Sequence, residues 1–171
     1  MRPEPGQVLH FSEDPAITRF VPHVAATARQ RTPYVWAVDA PRCPDYWFPR
    51  ECPRAMAWTT PTSGGSDLLG PGETRLHAIE HHWLERLRTT RLYAYRLPAA
   101  AFTPFGDHAH VCTHPVDPLG PAEPVGDLLA LHEEAGIQLR LLANLWPLWD
   151  AITTSTLGYS GIRLRNARPR P

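Results

Sequence analysis

Apolar and polar residues alternate in several short stretches of this chain. Each predicts a strand, because successive side chains on extended backbone point to opposite faces. In residues 7–12, Val8, His10 and Ser12 share one face while Leu9 and Phe11 share the other. Residues 34–39, β-branched and aromatic, predict a second strand. Further strands are expected over 54–58, 75–80, 92–97, 107–114 and 137–142. Helical spacing appears in 81–88, with Trp83, Leu84 and Leu87 inward, and in 125–135, which Gly136 can stop. One continuous helix over 75–88 is the alternative. Asn144 can cap a last helix through Thr154, with Pro147 in its first turn and Leu145, Trp149 and Ile152 inward. Asp39 can cap a short helix over 41–48, which Pro44 limits to a turn or two. Residues 15–33 read as a loop, and 115–124 are proline-rich. Residues 59–74 form a flexible loop, a candidate lid. Residues 158–163 return to the body, and 166–171 read as a frayed tail.

This order is strand-rich with late helices and lacks the regular alternation of a dinucleotide-binding sheet. It predicts one α+β domain over 1–171, with a largely antiparallel central sheet and short helices. Composition narrows the function. With 43% hydrophobic residues in 171, the chain can bury a core. Acids and bases balance at 17 each, without a run of one sign, so no nucleic-acid partner is expected. All the bases are arginine, which excludes lysine Schiff-base chemistry and a P-loop lysine. The chain has neither an 18-residue apolar run nor an apolar leader, so no membrane partner and a cytoplasmic location are expected. In a reducing compartment Cys43, Cys52 and Cys112 would be free thiols.

Chemistry concentrates in residues 107–114, Asp-His-Ala-His-Val-Cys-Thr-His. On a strand, His108, His110, Cys112 and His114 share one face. Ala109, Val111 and Thr113 share the other, which is expected to pack on a core. Imidazole and thiolate suit zinc, iron or copper. Residues six apart lie roughly 20 Å apart along a strand, so four ligands from one strand cannot surround one ion. A metal would take His108 with His110, or His110 with Cys112, and draw other ligands from His10, His81 or His82. The plainer reading is a polar face lining a cleft. Cys112 is either a nucleophile stabilised by imidazolium or an inert buried thiol, and Cys43 and Cys52 read as inert. His77 and His81, with Glu80 nearby, would share a helix face as ligands or as solvated residues. His10 beside Ser12 and Glu13 suits a general base. Arg50 and Arg54 flank a turn and can clasp an anionic substrate. One or two of the six tryptophans can stack on a planar ligand. There is no Gly-x-Ser-x-Gly, which leaves a serine hydrolase unsupported.

Five segments together resemble a bacterial family known only as a domain of unknown function. They are Leu9-His10-Phe11-Ser12-Glu13, Val35-Trp36-Ala37-Val38-Asp39, Phe48-Pro49-Arg50-Glu51-Cys52-Pro53-Arg54, Arg91-Leu92-Tyr93-Ala94-Tyr95 and Asn144-Leu145-Trp146-Pro147-Leu148. More distantly, His10-x-Ser12 resembles the first strand of the small ADP-ribosyltransferase-like fold. That resemblance implies that His10 binds the ribose of NAD and that Tyr34, Trp36 or Tyr46 stacks on nicotinamide. It also implies a late acid, for which the chain offers Asp107 or Glu13, with His108, His110 and His114 where a glutamate would be expected.

The expectation is a small-molecule enzyme with histidine acid/base groups in a cleft, acting on NAD or a nucleotide-like ligand. Its catalytic candidates are His10, Asp107, His108, His110 and Cys112. Its ligand contacts would be Ser12, Tyr34, Trp36, Tyr46, Arg50, Arg54 and His114. The alternatives are a zinc or iron enzyme built on His108, His110 and Cys112, and a non-catalytic ligand-binding or interaction domain.

Overall fold

The structure, a computed structural model, describes residues 1–24, 31–64, 67–106 and 109–171. In chain order these residues form β1 (Gln7–Ser12), β2 (Val35–Ala37), β3 (Arg54–Trp58), β4 (Arg75–Glu80), α1 (Leu84–Thr89), β5 (Tyr93–Pro98), β6 (Thr103–Phe105), β7 (Ala109–Cys112), β8 (Glu123–Pro124), α2 (Leu128–Glu134), β9 (Gln138–Leu142), α3 (Trp146–Thr153) and β10 (Gly158–Ile162). The architecture is α+β. Three sheets take the place of the one expected: β1-β5-β8, β2-β7-β6 and β10-β3-β4-β9. Their pairings are antiparallel except β4 with β9. The chain divides into two compact units, one of residues 1–47 and 91–126, the other of residues 48–90 and 127–171.

In the first unit, β1 pairs with β5, placing Val8 opposite Leu97, His10 opposite Tyr95 and Ser12 opposite Tyr93. In the second sheet Val35 lies opposite Cys112 and Ala37 opposite His110. Directly paired residues share a face, so each sheet contributes one face to a common core. That core holds Val8, Phe20, Val35, Ala37, Tyr95, Leu97, Phe102, Cys112 and Val116. The strand expected over 34–39 shrinks to three residues. The helix expected over 41–48 is only a 3-10 turn, Cys43–Tyr46, with a proline in its first positions.

In the second unit, the face of the four-stranded sheet carrying Ala55, Ala57, Leu76 and Ala78 packs on α3 through Leu145 and Ile152. The opposite face carries Met56, paired with His77. β10 fits between the Trp58 indole of β3 and Trp149 of α3 because two of its residues have no side chain. A Cβ on Gly158 would sit 2.2 Å from the Trp58 indole nitrogen, and one on Gly161 would sit 2.7 Å from Trp149. Asp127 caps α2 by accepting from the Leu129 and Ala130 amides. The helix expected over 81–88 is a 3-10 turn, His81–Trp83, running into α1.

In the two segments read as loose, described residues make hydrogen bonds to the rest of the second unit or within the segment. Thr59 donates its amide to the Thr74 carbonyl, and Ser63 Oγ donates to the Thr156 carbonyl, across the loop expected over 59–74. In the tail, the Arg168 amide donates to both Glu80 oxygens at 3.1 Å. The Asn144 amide group donates to the Pro169 carbonyl, and the Trp146 indole to the Arg168 carbonyl. Arg170 pairs with Asp150 at 2.7 Å. Deleting residues 167–171 should therefore lower stability by about 1–2 kcal/mol, by removing the Glu80 and Trp146 bonds. A urea midpoint indistinguishable from the full chain's would show the tail to be passive.

Candidate functional site

His10 sits where β1 and β2 part. Leu9 and Val38 exchange both backbone bonds at 2.8 Å, forming a single isolated bridge between the strands. A continuing antiparallel ladder would next bring the Phe11 amide to the Trp36 carbonyl. Instead His10 Nδ1 meets that carbonyl at 2.7 Å, so the imidazole occupies the opening. A carbonyl only accepts, so the proton is on Nδ1 and the basic nitrogen is Nε2. The ring also packs on Phe20, 4.7 Å away between centroids.

His110 stands on β7, on the other side of β2. Ala37 pairs with His110, and His10 lies one residue past the Leu9–Val38 bridge, at the level of Ala37. The two histidines thus flank β2 at one level, on the core-facing sides of their sheets. His110 Nε2 is 3.4 Å from Asp39 Oδ2, a long contact in which the carboxylate orients the ring. Asp39 itself is placed by the turn after β2, where its carbonyl accepts from the Arg42 and Cys43 amides and the Cys43 thiol. Its Oδ1 is buried without a hydrogen-bond partner.

The alternation expected along 107–114 holds over β7, but with its faces exchanged. The His110/Cys112 face is the one turned to the core, and Cys112 is packed there at 3% exposure. Val111 lies on the opposite face, beside Trp36 and Thr103. The strand ends at Cys112, so His114 lies beyond it. The Cys112 sulfur is 3.1 Å from His114 Nδ1 and donates to the His114 carbonyl. Asp107 and His108 lie outside the described residues.

The other expected contacts are scattered. Ser12 is buried, and its hydroxyl accepts the Asp14 amide in a local turn. Tyr34, Trp36 and Phe105 form a cluster with ring centroids 5.1–5.8 Å apart. That cluster sits on the face of β2 opposite Ala37 and His110, because Trp36 shares its face with Val111. Tyr34 and Trp36 therefore do not line the face that carries His110, contrary to expectation. Tyr46 is half-buried in the 3-10 turn. Arg50 and Arg54 belong to the second unit. Arg50 is exposed, whereas Arg54 is buried over the Phe48 ring and donates to the Cys52 carbonyl.

Two residues escaped the sequence reading. Asp39 reads as a helix cap, and only the turn that lifts it beside His110 gives it another role. His132 lies four residues after Leu128 on the apolar stripe of α2, and a histidine at a core-facing helical position was the available signal. It meets His77, which is on a buried strand face rather than a solvated helix face. Burial pushes the Cys43 and Cys52 thiols up to about 12, with Asp39 adding to the effect at Cys43. Both are inert at neutral pH.

Among the described residues, no three His, Cys, Asp or Glu side chains are grouped to hold a metal ion, and no helix is long and apolar enough to cross a membrane. The profile of DUF6886, a family of unknown function, matches residues 9–167. No curated protein and no solved structure matches the chain.

Proposed function

The chain belongs to the DUF6886 family, whose function is unknown, and we propose that its first unit carries an acid/base site for a small nucleotide-like molecule, with NAD the first ligand to test. The observation that supports this is the placing of His10 and the Asp39-oriented His110 at one level on the two sides of β2. His10, with its Nδ1 proton held by the Trp36 carbonyl, offers Nε2 to a ligand hydroxyl, in line with the ribose contact that the first-strand resemblance implies. His110 is the general base. Histidine titrates near neutral pH, and a carboxylate on one ring nitrogen leaves the other to take a proton. In a ribosyl cleavage the C1′–N bond breaks, nicotinamide leaves with the bonding pair, and His110 takes the proton of the attacking water.

Calorimetric titration with NAD tests the reading. His10→Ala should weaken binding about tenfold, the loss of one hydrogen bond to a ligand. His110→Ala should lower nicotinamide release about 100-fold while leaving affinity nearly intact. NAD affinity unchanged in His10→Ala sinks the ribose contact. Tight binding without turnover converts the site into a non-catalytic receptor. The metal reading has no grouping of ligands among the described residues to favour it.

A further inference from the structure

Within the second unit, residues 167–170 run past α3 as extended backbone. Ala167 has φ −68° and ψ 159°, in the polyproline II region. Pro169 fixes its own φ, and a residue that precedes proline, as Arg168 and Arg170 do, is pushed toward extended backbone. Such a segment makes no hydrogen bonds within itself, so its carbonyls are open to other groups. Two consecutive ones are taken here. The Trp146 indole donates to the Arg168 carbonyl at 2.7 Å, and the Asn144 amide group donates to the Pro169 carbonyl at 2.8 Å. The next side chain is recognised as well. The Arg170 guanidinium lies over the Trp146 ring, 4.2 Å from its centroid, and pairs with Asp150 at 2.7 Å.

α3 sets out the receiving side chains. Trp146 and Asp150 are four residues apart on the helix and share a side, away from Leu145 and Ile152, which face the sheet. Asn144 Oδ1 accepts the Trp146 amide at 2.9 Å, which turns its N–H₂ toward the segment. An indole N–H on a carbonyl, an arginine over the indole and a carboxylate beyond it are the means by which an aromatic groove takes a proline-rich segment. The hold is light at its outer end. The Asp150 and Arg170 side chains are 56% and 54% exposed, and an exposed ion pair contributes little.

We propose that Asn144, Trp146 and Asp150 form a recognition site for an extended Arg-Pro segment of another polypeptide, and that residues 168–170 of the chain fill it until that segment displaces them. The two carbonyl contacts ask only for polyproline II backbone. Specificity comes from the position of Arg170, since a planar guanidinium can cover the indole and meet the carboxylate at once, whereas a lysine ammonium is a point charge. The chain's own segment is tethered, with an effective concentration on the order of millimolar. A partner of the same chemistry therefore enters readily only where it brings further contacts or where the resident segment is weakened.

The test uses the full chain carrying Arg170→Glu, which sets a carboxylate beside Asp150 and uncovers the indole without altering a buried group. The probe is a synthetic peptide, Asn-Ala-Arg-Pro-Arg-Pro, capped at both ends. The readout is the assigned Trp146 indole N–H resonance in nitrogen-15 NMR. The peptide should shift that resonance at about tenfold lower concentration in Arg170→Glu than in the unaltered chain, because the resident competitor is weakened. Alanine in place of the peptide's second arginine should weaken binding about tenfold, the loss of its contacts with the indole and the carboxylate. No shift in Arg170→Glu at millimolar peptide overturns the proposal, and so does an equal shift by the alanine peptide. Sedimentation of the unaltered chain supplies the remaining outcome. A dimer that forms with rising concentration and ignores the peptide would mean that two copies exchange their own segments, and it overturns recognition of another polypeptide.

Discussion

Replacing Glu80 by alanine is expected to destabilise the chain by about 3 kcal/mol, the largest loss from any single polar change considered. Glu80 ends β4 with its side chain fully buried. Its carboxylate accepts the Leu145 amide at 3.3 Å and the Arg168 amide at 3.1 Å, and His82 Nδ1 is 3.8 Å away. One side chain thus satisfies a donor at the start of α3 and another in the tail. Alanine leaves the Leu145 amide buried without its partner, since that residue is 0% exposed. Glutamine keeps the shape, and with its carbonyl at the Oε1 position it still accepts both amides while its N–H₂ replaces only the second Arg168 contact, so Glu80→Gln should lose clearly less than Glu80→Ala. Chemical denaturation checks both variants. Glu80→Ala combined with deletion of 167–171 should lose less than the sum, because the two changes remove the same bonds. Strict additivity would mean that the tail and Glu80 act separately.

Gly158→Ala should cost about 1–3 kcal/mol. The added methyl would lie 2.2 Å from Nε1 and 2.6 Å from Cε2 of Trp58, the residue paired with Gly158 on β3. The glycine is required by the indole lying across it; its backbone is not among those at positive φ. Trp58 is itself braced by the Arg75 guanidinium, 5.8 Å above the ring, so it cannot swing aside without loss. Trp58→Leu should remove most of the collision. The double variant should then be more stable than the sum of the single losses allows, in a thermal-melt cycle. A Gly158→Ala melt within a degree of the unaltered chain would show the indole to be mobile.

These positions show what the sequence could and could not reveal. Strands β1, β3 and β4 coincide with their expected limits; Pro5 and Pro15 bracket β1, and Pro53 marks the start of β3. The grouping of strands into three sheets is not local. It depends on register, such as Ala37 meeting His110, and a period of two says only which residues share a face, never which face turns inward. For that reason β7 was expected with its faces exchanged. The His110–Asp39 contact spans 71 residues and the His77–His132 contact spans 55, so neither leaves a spacing to recognise. The tail misleads for a related reason. Its Arg/Pro composition reads as solvated, yet its backbone is held by Glu80 and Asn144, far back in the chain.

The division of the chain also bears on how the protein is made. The first unit is built from 1–47 and 91–126, and the second from 48–90 and 127–171. On the ribosome β1 therefore emerges well before its partner β5, and the first unit stays open until residue 126 is free of the exit tunnel. Meanwhile β3 and β4 wait for β9 and β10, so two half-built sheets coexist on one nascent chain with their edges uncovered. The same interleaving means that neither unit can be expressed as one uninterrupted fragment. Dissecting this protein by truncation would leave both units incomplete, and single-residue substitution is the route that keeps each of them whole.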